Sequence, residues 1–361
     1  MESELLEATR SPSQADSYPP YPPGVVDQFL AWVDRLPFPA WLCYLLLLAA
    51  LIIFFNGLAW IDGSLRFPTF DLYRSSVPVY PVASLALIHY LNGVALRALA
   101  DFRPVLGVGD AEYQQLAYKL VTLPRRGTRV TLALSLLFTA AYIYYTPYLV
   151  ALFGSSPLVA IAESAVYAFT FGMIAVFIYH IMRQLRLVSL IHASATEINL
   201  FQRTPLYAFS KLTAQTGISL LLMNYFGVLT DPATFENIAL FALTIAASLV
   251  ALLCFILPLR GMHNQIVAEK NRLRAECSAR LEATIEELFA RADAQELAEV
   301  DGLHQLMASL GAICERIEKI PTWPWEPGTF MSFLTVFILP FVAELLLMIA
   351  GRFGLFDRLF P

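Results

Sequence analysis

The sequence predicts an all-α, polytopic membrane protein with about seven transmembrane helices and a cytoplasmic helical hairpin between the sixth and the seventh. Three observations predict this fold class. Of the 361 residues, 58% are hydrophobic and only 15% are charged, whereas soluble domains carry about 25% charged residues. Several uncharged runs are long enough to cross a bilayer as a helix. One of them leads directly into a charged, helix-favouring stretch at 261–320.

The N-terminal region precedes the first apolar run. Residues 1–23 end in SYPPYPP and show no periodicity, which predicts a disordered tail. Over 24–37, apolar residues recur at helical spacing and charged ones lie largely opposite. This pattern predicts an amphipathic helix in the membrane interface, with Trp32 as an anchor. Packing of the same helix on other protein is an equal alternative.

Seven apolar runs predict the membrane spans. They cover about 40–60, 77–96, 130–153, 157–182, 206–229, 238–259 and 330–350. The first six, with their cytoplasmic extensions, form the region 38–260. The region 321–361 returns to the membrane through a segment with three prolines, which forbid a continuous helix. In that segment Trp323 and Trp325 suit the headgroup level of the bilayer.

The distribution of Lys and Arg predicts the orientation. Seven spans place twenty of the 24 basic residues on the side of the N-terminus and four on the other. Because cytoplasmic loops carry the excess of basic residues, the N-terminus is predicted to be cytoplasmic and the C-terminus outside. The predicted location is the cell membrane, and the predicted surroundings are the lipid bilayer.

The stretch 261–320 predicts two antiparallel cytoplasmic helices. Its second half carries Leu303, Leu306, Leu310 and Ile313 at alternating spacings of three and four, a heptad seam. That seam packs either on the first helix or on a second subunit, so a homo-oligomer or a partner protein at 262–320 is expected. The stretch holds seven basic and eleven acidic residues, which argues against nucleic-acid binding.

Polar residues inside the spans are candidates for function because they are costly in lipid. The predicted depths place Asn56, Glu163, Asn224 and Glu344 in one polar layer in the outer third of the bilayer. This layer is a hypothetical vestibule or ligand site. The alternative is that shallow carboxylates reach the headgroups or bond a neighbouring hydroxyl.

Other signals for a reaction or a metal are weak. His89 and Asn92 lie on one helix face and predict an interhelical polar pair. The chain has no phosphate loop, no nucleophile turn and no HExxH. We therefore predict no catalytic residue, no metal and no cofactor. The four cysteines show no paired spacing and predict neither a disulfide framework nor a thiolate zinc site.

Three functions are compatible with these predicted features. The first is a channel- or receptor-like sensor that couples the membrane bundle to the cytoplasmic helices. Its span count, cytoplasmic N-terminus and cytoplasmic helices before the last span resemble insect odorant and gustatory receptor channels in architecture, and no motif residue matches. The second is a non-catalytic scaffold or accessory protein acting through its cytoplasmic hairpin. The third is an intramembrane enzyme or carrier.

Overall fold

The regular structure of the chain is helical. A computed structural model describes residues 19–145, 156–193, 199–230, 238–294 and 297–352. Within these ranges the one extended pairing is an isolated bridge between Pro23 and Pro124. The all-α prediction is confirmed. The helices are α1 (Val25–Val33), α2 (Ala40–Asp62), α3 (Leu72–Ser76), α4 (Val79–Leu106), α5 (Asp110–Val121), α6 (Arg125–Tyr145), α7 (Pro157–Ala193), α8 (Arg203–Tyr207), α9 (Ser210–Thr230), α10 (Ile238–Ile256), α11 (Arg260–Asp293), α12 (Leu297–Glu318) and α13 (Pro327–Arg352).

Six helical segments of the described chain are long and apolar enough to cross a bilayer. They are Ala40–Asp62, Leu72–Leu106, Arg125–Tyr145, Val159–Ala193, Thr204–Thr230 and Phe241–Asp293. The part Pro327–Leu339 of α13 is apolar but shorter. A multi-pass membrane protein therefore fits the fold, whereas a seventh span and the orientation of the ends stay predictions. Residues 1–18 of the predicted tail lie outside the described chain.

The bundle has two ends. At the basic end, α7 and α10 finish and α11 begins, beside the loop that joins α5 to α6. At the far end, α2 finishes and α7 begins, and the Ser156 amide donates to the Asp62 carboxylate at 2.9 Å. α7 therefore runs through the whole bundle. We use the terms basic end and far end for these two regions.

The centre of the bundle is packed through α4 and α9. Leu91, Leu99 and Phe102 of α4 are fully buried. In contrast, Leu134 and Leu137 of α6 are 61% and 69% exposed. A helix surrounded by lipid needs apolar side chains on its outward face. The exposed leucines of α6, together with the buried centre, meet that requirement.

Gly217 lies at a close approach between three helices. A Cβ placed on it would lie 2.6 Å from the Phe333 ring and 2.9 Å from the Ala251 carbonyl oxygen. α9 can therefore contact α10 and α13 together only because this position has no side chain. Close approach at a small residue is a common way to pack helices in membranes.

The membrane helix α10 leads into the charged helix α11 through one 3-10 turn, Leu257–Leu259. α11 packs along α12, and the Lys270 ammonium donates to the Glu318 and Ile320 carbonyls at 2.7 and 2.8 Å. Whether these helices form a free-standing cytoplasmic hairpin stays a prediction.

Cys277 and Cys314 form a disulfide between α11 and α12. The prediction that no disulfide would form is therefore wrong. The two cysteines lie 37 residues apart on different helices, and packing brings their Cα atoms to 5.9 Å, within the usual range for a disulfide. Linear spacing carries no signal for such a pair. Cys43 and Cys254 are free and buried.

Candidate functional sites at the two ends of the bundle

The far end holds a buried ion pair. The Arg74 guanidinium of α3 contacts the Glu163 carboxylate of α7, and their side chains are 14% and 0% exposed. The Arg74 amide also donates to the Asp71 side chain at 2.7 Å, which caps the short helix α3. Removing a carboxylate from water costs several kcal/mol unless a partner compensates for it. Arg74 supplies that compensation.

Asn56 fixes the same short helix from the other side. Its side-chain amide donates to Ser75 Oγ at 3.1 Å, and its Oδ1 accepts from the Asp71 amide at 3.0 Å. Asn56 is fully buried. Two members of the hypothetical polar layer, Asn56 and Glu163, thus meet through α3. We call Asn56, Asp71, Arg74, Ser75 and Glu163 the far-end cluster.

Asn224, a third member of that hypothetical layer, contacts α10 and not the far-end cluster. The Asn224 side-chain amide donates to Ser248 Oγ at 3.2 Å and to the Thr244 carbonyl at 3.1 Å. It therefore links α9 to α10. Glu344 lies in α13, and its side chain is outside the described part of the chain. The sequence carries no signal for the role of Arg74, because this residue lies between the first two predicted spans.

His89 connects three helices at the basic end. Its Nδ1 lies 2.9 Å from the Tyr44 hydroxyl of α2, and its Nε2 lies 3.0 Å from the carboxylate of Asp34, which follows α1. The Oδ1 atom of Asn92 is buried and has no hydrogen-bond partner among the described residues. His89 and Asn92 therefore do not share a partner. Trp32 of α1 is 52% exposed.

An N-terminal clasp, formed by Tyr21, Lys119, Thr122 and Arg183, holds the segment before α1. The Arg183 guanidinium of α7 donates to the Tyr21 hydroxyl and to the Lys119 and Thr122 carbonyls. The Tyr118 hydroxyl donates to the Tyr21 carbonyl at 2.7 Å. Arg183 thus satisfies carbonyls at the end of α5.

Asp27 of α1 lies beside this clasp. Its carboxylate accepts hydrogen bonds from the Gly24 amide at 2.9 Å and the Leu123 amide at 3.0 Å. Burial raises the pKa of Asp27 to about 6, although both amides and the Arg183 charge act in the opposite direction. The loop between α5 and α6 is therefore tied, through the Leu123 amide, to a carboxyl group whose pKa is raised by burial.

At the basic end, α7 contacts the 3-10 turn between α10 and α11 and also contacts α11 itself. His192 Nδ1 lies 3.1 Å from the Pro258 carbonyl oxygen, and the Gln265 side-chain amide donates to the His192 carbonyl at 3.0 Å. His263 Nδ1 lies 2.9 Å from the Thr322 carbonyl oxygen. Because a carbonyl only accepts, Nδ1 carries the proton in both histidines. We call these five residues the helical junction.

Aromatic rings extend the helical junction into α13. Trp323 stacks between His263 and Trp325, with ring centroids 4.1 and 4.5 Å away. Trp325 also stacks on Phe330 at 5.3 Å, and Phe255 of α10 stacks on Trp325 at 5.5 Å. The two tryptophans predicted as interface anchors are therefore also packed against α10, α11 and α13. Sequence spacing does not reveal this stacking, because it depends on the path of the proline-rich segment.

Neither site resembles a metal centre. Within the described ranges, no group of three or more His, Cys, Asp or Glu side chains is placed to hold a metal ion. The arrangement provides a buried charge pair and hydrogen bonds between helices, which hold the helices in register. The chain matches no family model, no curated protein and no solved structure to which it was compared.

Proposed function

We propose that this chain is a receptor-like membrane sensor in which the bundle moves α11 and α12. The observation that carries the proposal is the position of α7. This single helix holds Glu163 of the far-end cluster near its start and His192 of the helical junction near its end. At 1.5 Å per residue the two positions lie about 43 Å apart along the helix. A displacement of one is transmitted mechanically to the other.

The contacts at the helical junction support the output side of this proposal. His192 contacts the turn before α11, and Gln265 of α11 contacts His192 in return. His263 adds a contact to the segment that enters α13. A shift of α7 along its axis would therefore change the position of α11 and of the chain that follows α12. Coupling through such contacts still requires a direct measurement.

The buried Arg74–Glu163 pair favours a receptor-like device over a pore lined by Glu163. A pore-lining carboxylate faces water, whereas this one is fully buried against Arg74. Two packed helices with a paired charge between them form an element whose arrangement can switch between states. In this proposal the stimulus acts at the far end, and α11 and α12 report it at the basic end.

We further propose that the basic end faces the cytoplasm, as the Lys and Arg distribution predicts. Disulfides persist in oxidising compartments, and the cytosol keeps thiols reduced. In this orientation Cys277 and Cys314 are thiols in the cell, and the disulfide forms when the protein meets an oxidising environment.

Hydrogen exchange tests the coupling. In Glu163→Gln, which neutralises the far-end carboxylate, amides in 262–293 should exchange at least about fivefold faster than in the unaltered protein, at the lower end of typical coupling energies. Exchange in α9, which does not belong to the helical junction, should change less. The exposed Glu112→Gln of α5 removes the same charge away from both sites and serves as the matched control.

A second variant identifies the route. Gln265→Ala removes the contact between α11 and α7, so adding Glu163→Gln to it should produce little further change in 262–293. Equal acceleration throughout the chain would indicate general destabilisation. Unchanged exchange in 262–293 in Glu163→Gln would contradict the sensor proposal.

A scaffold function is favoured by one separate observation. Leu306 and Ile313 of α12 are each 48% exposed and lie one heptad apart, so they share a helix face. We propose that this face binds a second copy of the chain. The double variant Leu306→Glu/Ile313→Glu should reduce the mass of the detergent-solubilised particle to that of one chain, measured by light scattering. An unchanged oligomeric mass would refute this interface.

A further inference from the structure

A cavity of about 720 Å³ opens at the basic end. It lies between the end of α4, the start of the α8–α9 segment and residues 321–331. Its volume is within the range of small-molecule sites. Two of its walls are ends of helical segments that are long and apolar enough to cross a membrane, Leu72–Leu106 and Thr204–Thr230, which places the cavity near the expected membrane boundary.

The cavity carries three charged side chains. Asp101 of α4, Lys211 of α9 and Glu326 before α13 line it and are exposed. Within the described ranges none of these three forms an ion pair with another side chain. One positive and two negative groups therefore line the same space without an ion-pair partner among the described residues.

The remaining lining is largely aromatic. Tyr207, Trp323, Trp325 and Phe330 contribute to it. The faces of Trp323 are covered by His263 and Trp325, with interplanar angles of 16° and 14°. The stacked indoles therefore offer edges to the cavity. A cage that holds a quaternary ammonium needs open aromatic faces, so the cavity is poorly suited to choline.

We propose that this cavity binds a phosphoethanolamine headgroup. The phosphate pairs with the Lys211 ammonium, and the primary ammonium donates charge-assisted hydrogen bonds to the Asp101 and Glu326 carboxylates. A purely anionic headgroup would meet two carboxylates, and a cationic amphiphile would meet Lys211. A zwitterion with hydrogen-bond donors on its ammonium matches all three charges. The position at the membrane boundary suits a lipid as the source of that headgroup.

This inference goes beyond the proposed sensor and does not depend on it. The ligand contacts the segment 321–331, which belongs to the aromatic stack, so binding could bias the helical junction. Binding itself requires only the charges of the cavity. The lipid measurement below and the exchange measurement above can therefore fail independently.

Native mass spectrometry of the full chain released from detergent tests the proposal. The probes are dihexanoyl phosphatidylethanolamine, its phosphatidylcholine and phosphatidylglycerol counterparts, and phosphoethanolamine itself. We expect the ethanolamine lipid to bind about tenfold more tightly than the other two lipids, the effect of one charge-assisted hydrogen bond. Equal affinity for the three lipids would overturn the proposal.

Substitutions locate the binding to the cavity. Lys211→Met and Glu326→Gln should each weaken binding of the ethanolamine lipid about tenfold, whereas Glu112→Gln, on α5 outside the cavity, should not. Because Lys211 and Glu326 are exposed, both variants should fold, and Asp101→Asn provides a third. Full binding in all three cavity variants would refute the site. Equal affinity of phosphoethanolamine and the lipid would support the headgroup chemistry and assign a soluble ligand.

Discussion

The ion pair between Arg74 and Glu163 provides a quantitative test of the far-end cluster. Glu163 is fully buried and Arg74 is 14% exposed. Breaking a buried pair by removing one partner costs about 3–5 kcal/mol, because the remaining charge stays without compensation. Since Arg74 retains some access to solvent, we expect Glu163→Leu to cost about 3 kcal/mol, at the lower end of this range.

A double-variant cycle separates the ion pair from general packing effects. Arg74→Met/Glu163→Leu removes both charges and replaces them with apolar groups, which is often neutral for a buried pair. We therefore expect the double variant to recover most of the stability lost in Glu163→Leu, giving a coupling energy of about 2 kcal/mol or more. The assay is SDS titration of the protein in dodecyl maltoside, followed by circular dichroism.

The result that would refute this reasoning is additivity. If the losses in Arg74→Met and Glu163→Leu simply add in the double variant, the two charges do not compensate each other. Glu112→Gln, at an exposed position on α5, should change the unfolding midpoint little and controls for the removal of a carboxylate.

Three further predictions concern packing, pH and redox state. In the same titration, Gly217→Ala should lower the free energy of unfolding by about 1–3 kcal/mol, because its Cβ would overlap α10 and α13. Gly57→Ala, with open space around it, should raise the free energy of unfolding by about 0.5–1 kcal/mol. Equal effects of the two variants would contradict the close approach at Gly217. Burial places the pKa of Asp27 at about 6, above its ordinary value of 3.8, so the stability from its protonated form is complete below about pH 4 and is lost as the pH rises through 6. The midpoint temperature of thermal unfolding should therefore fall less steeply between pH 5 and 7 in Asp27→Asn than in the unaltered protein. Parallel curves for the two proteins would contradict this assignment. Cys277 and Cys314 should both react when cells are dissolved in SDS with a membrane-permeant maleimide and without reductant, because both are thiols in the proposed orientation; a disulfide that blocks both would contradict a cytoplasmic location.

The sequence was sufficient to predict the helices because apolar length and charge are local properties. α2, α7 and α10 begin at or within a few residues of the predicted spans. The fourth predicted span, 157–182, corresponds to α7, which runs on to Ala193 without a break. Hydropathy alone does not decide whether α13 crosses the membrane. It measures how apolar a segment is, and not whether lipid or other helices surround that segment.

The contacts that form the candidate sites depend on packing and were not predictable. Arg74 lies between the first two predicted spans, and the fold places its guanidinium against the Glu163 carboxylate. The polar layer rested on depth alone, and depth does not determine which helices are neighbours. Asn224 therefore pairs with α10 and not with the far-end cluster. The disulfide was missed for the same reason.

The account depends most on the side of the membrane that holds α11 and α12. A membrane-impermeant maleimide applied to intact cells tests this directly, with cysteines introduced at Glu286→Cys on α11 and at Arg66→Cys in the loop after α2. Both positions are exposed. We predict that Arg66→Cys is labelled in intact cells and Glu286→Cys only after the membrane is permeabilised. Labelling of Glu286→Cys from outside would contradict a cytoplasmic output and with it the proposed function.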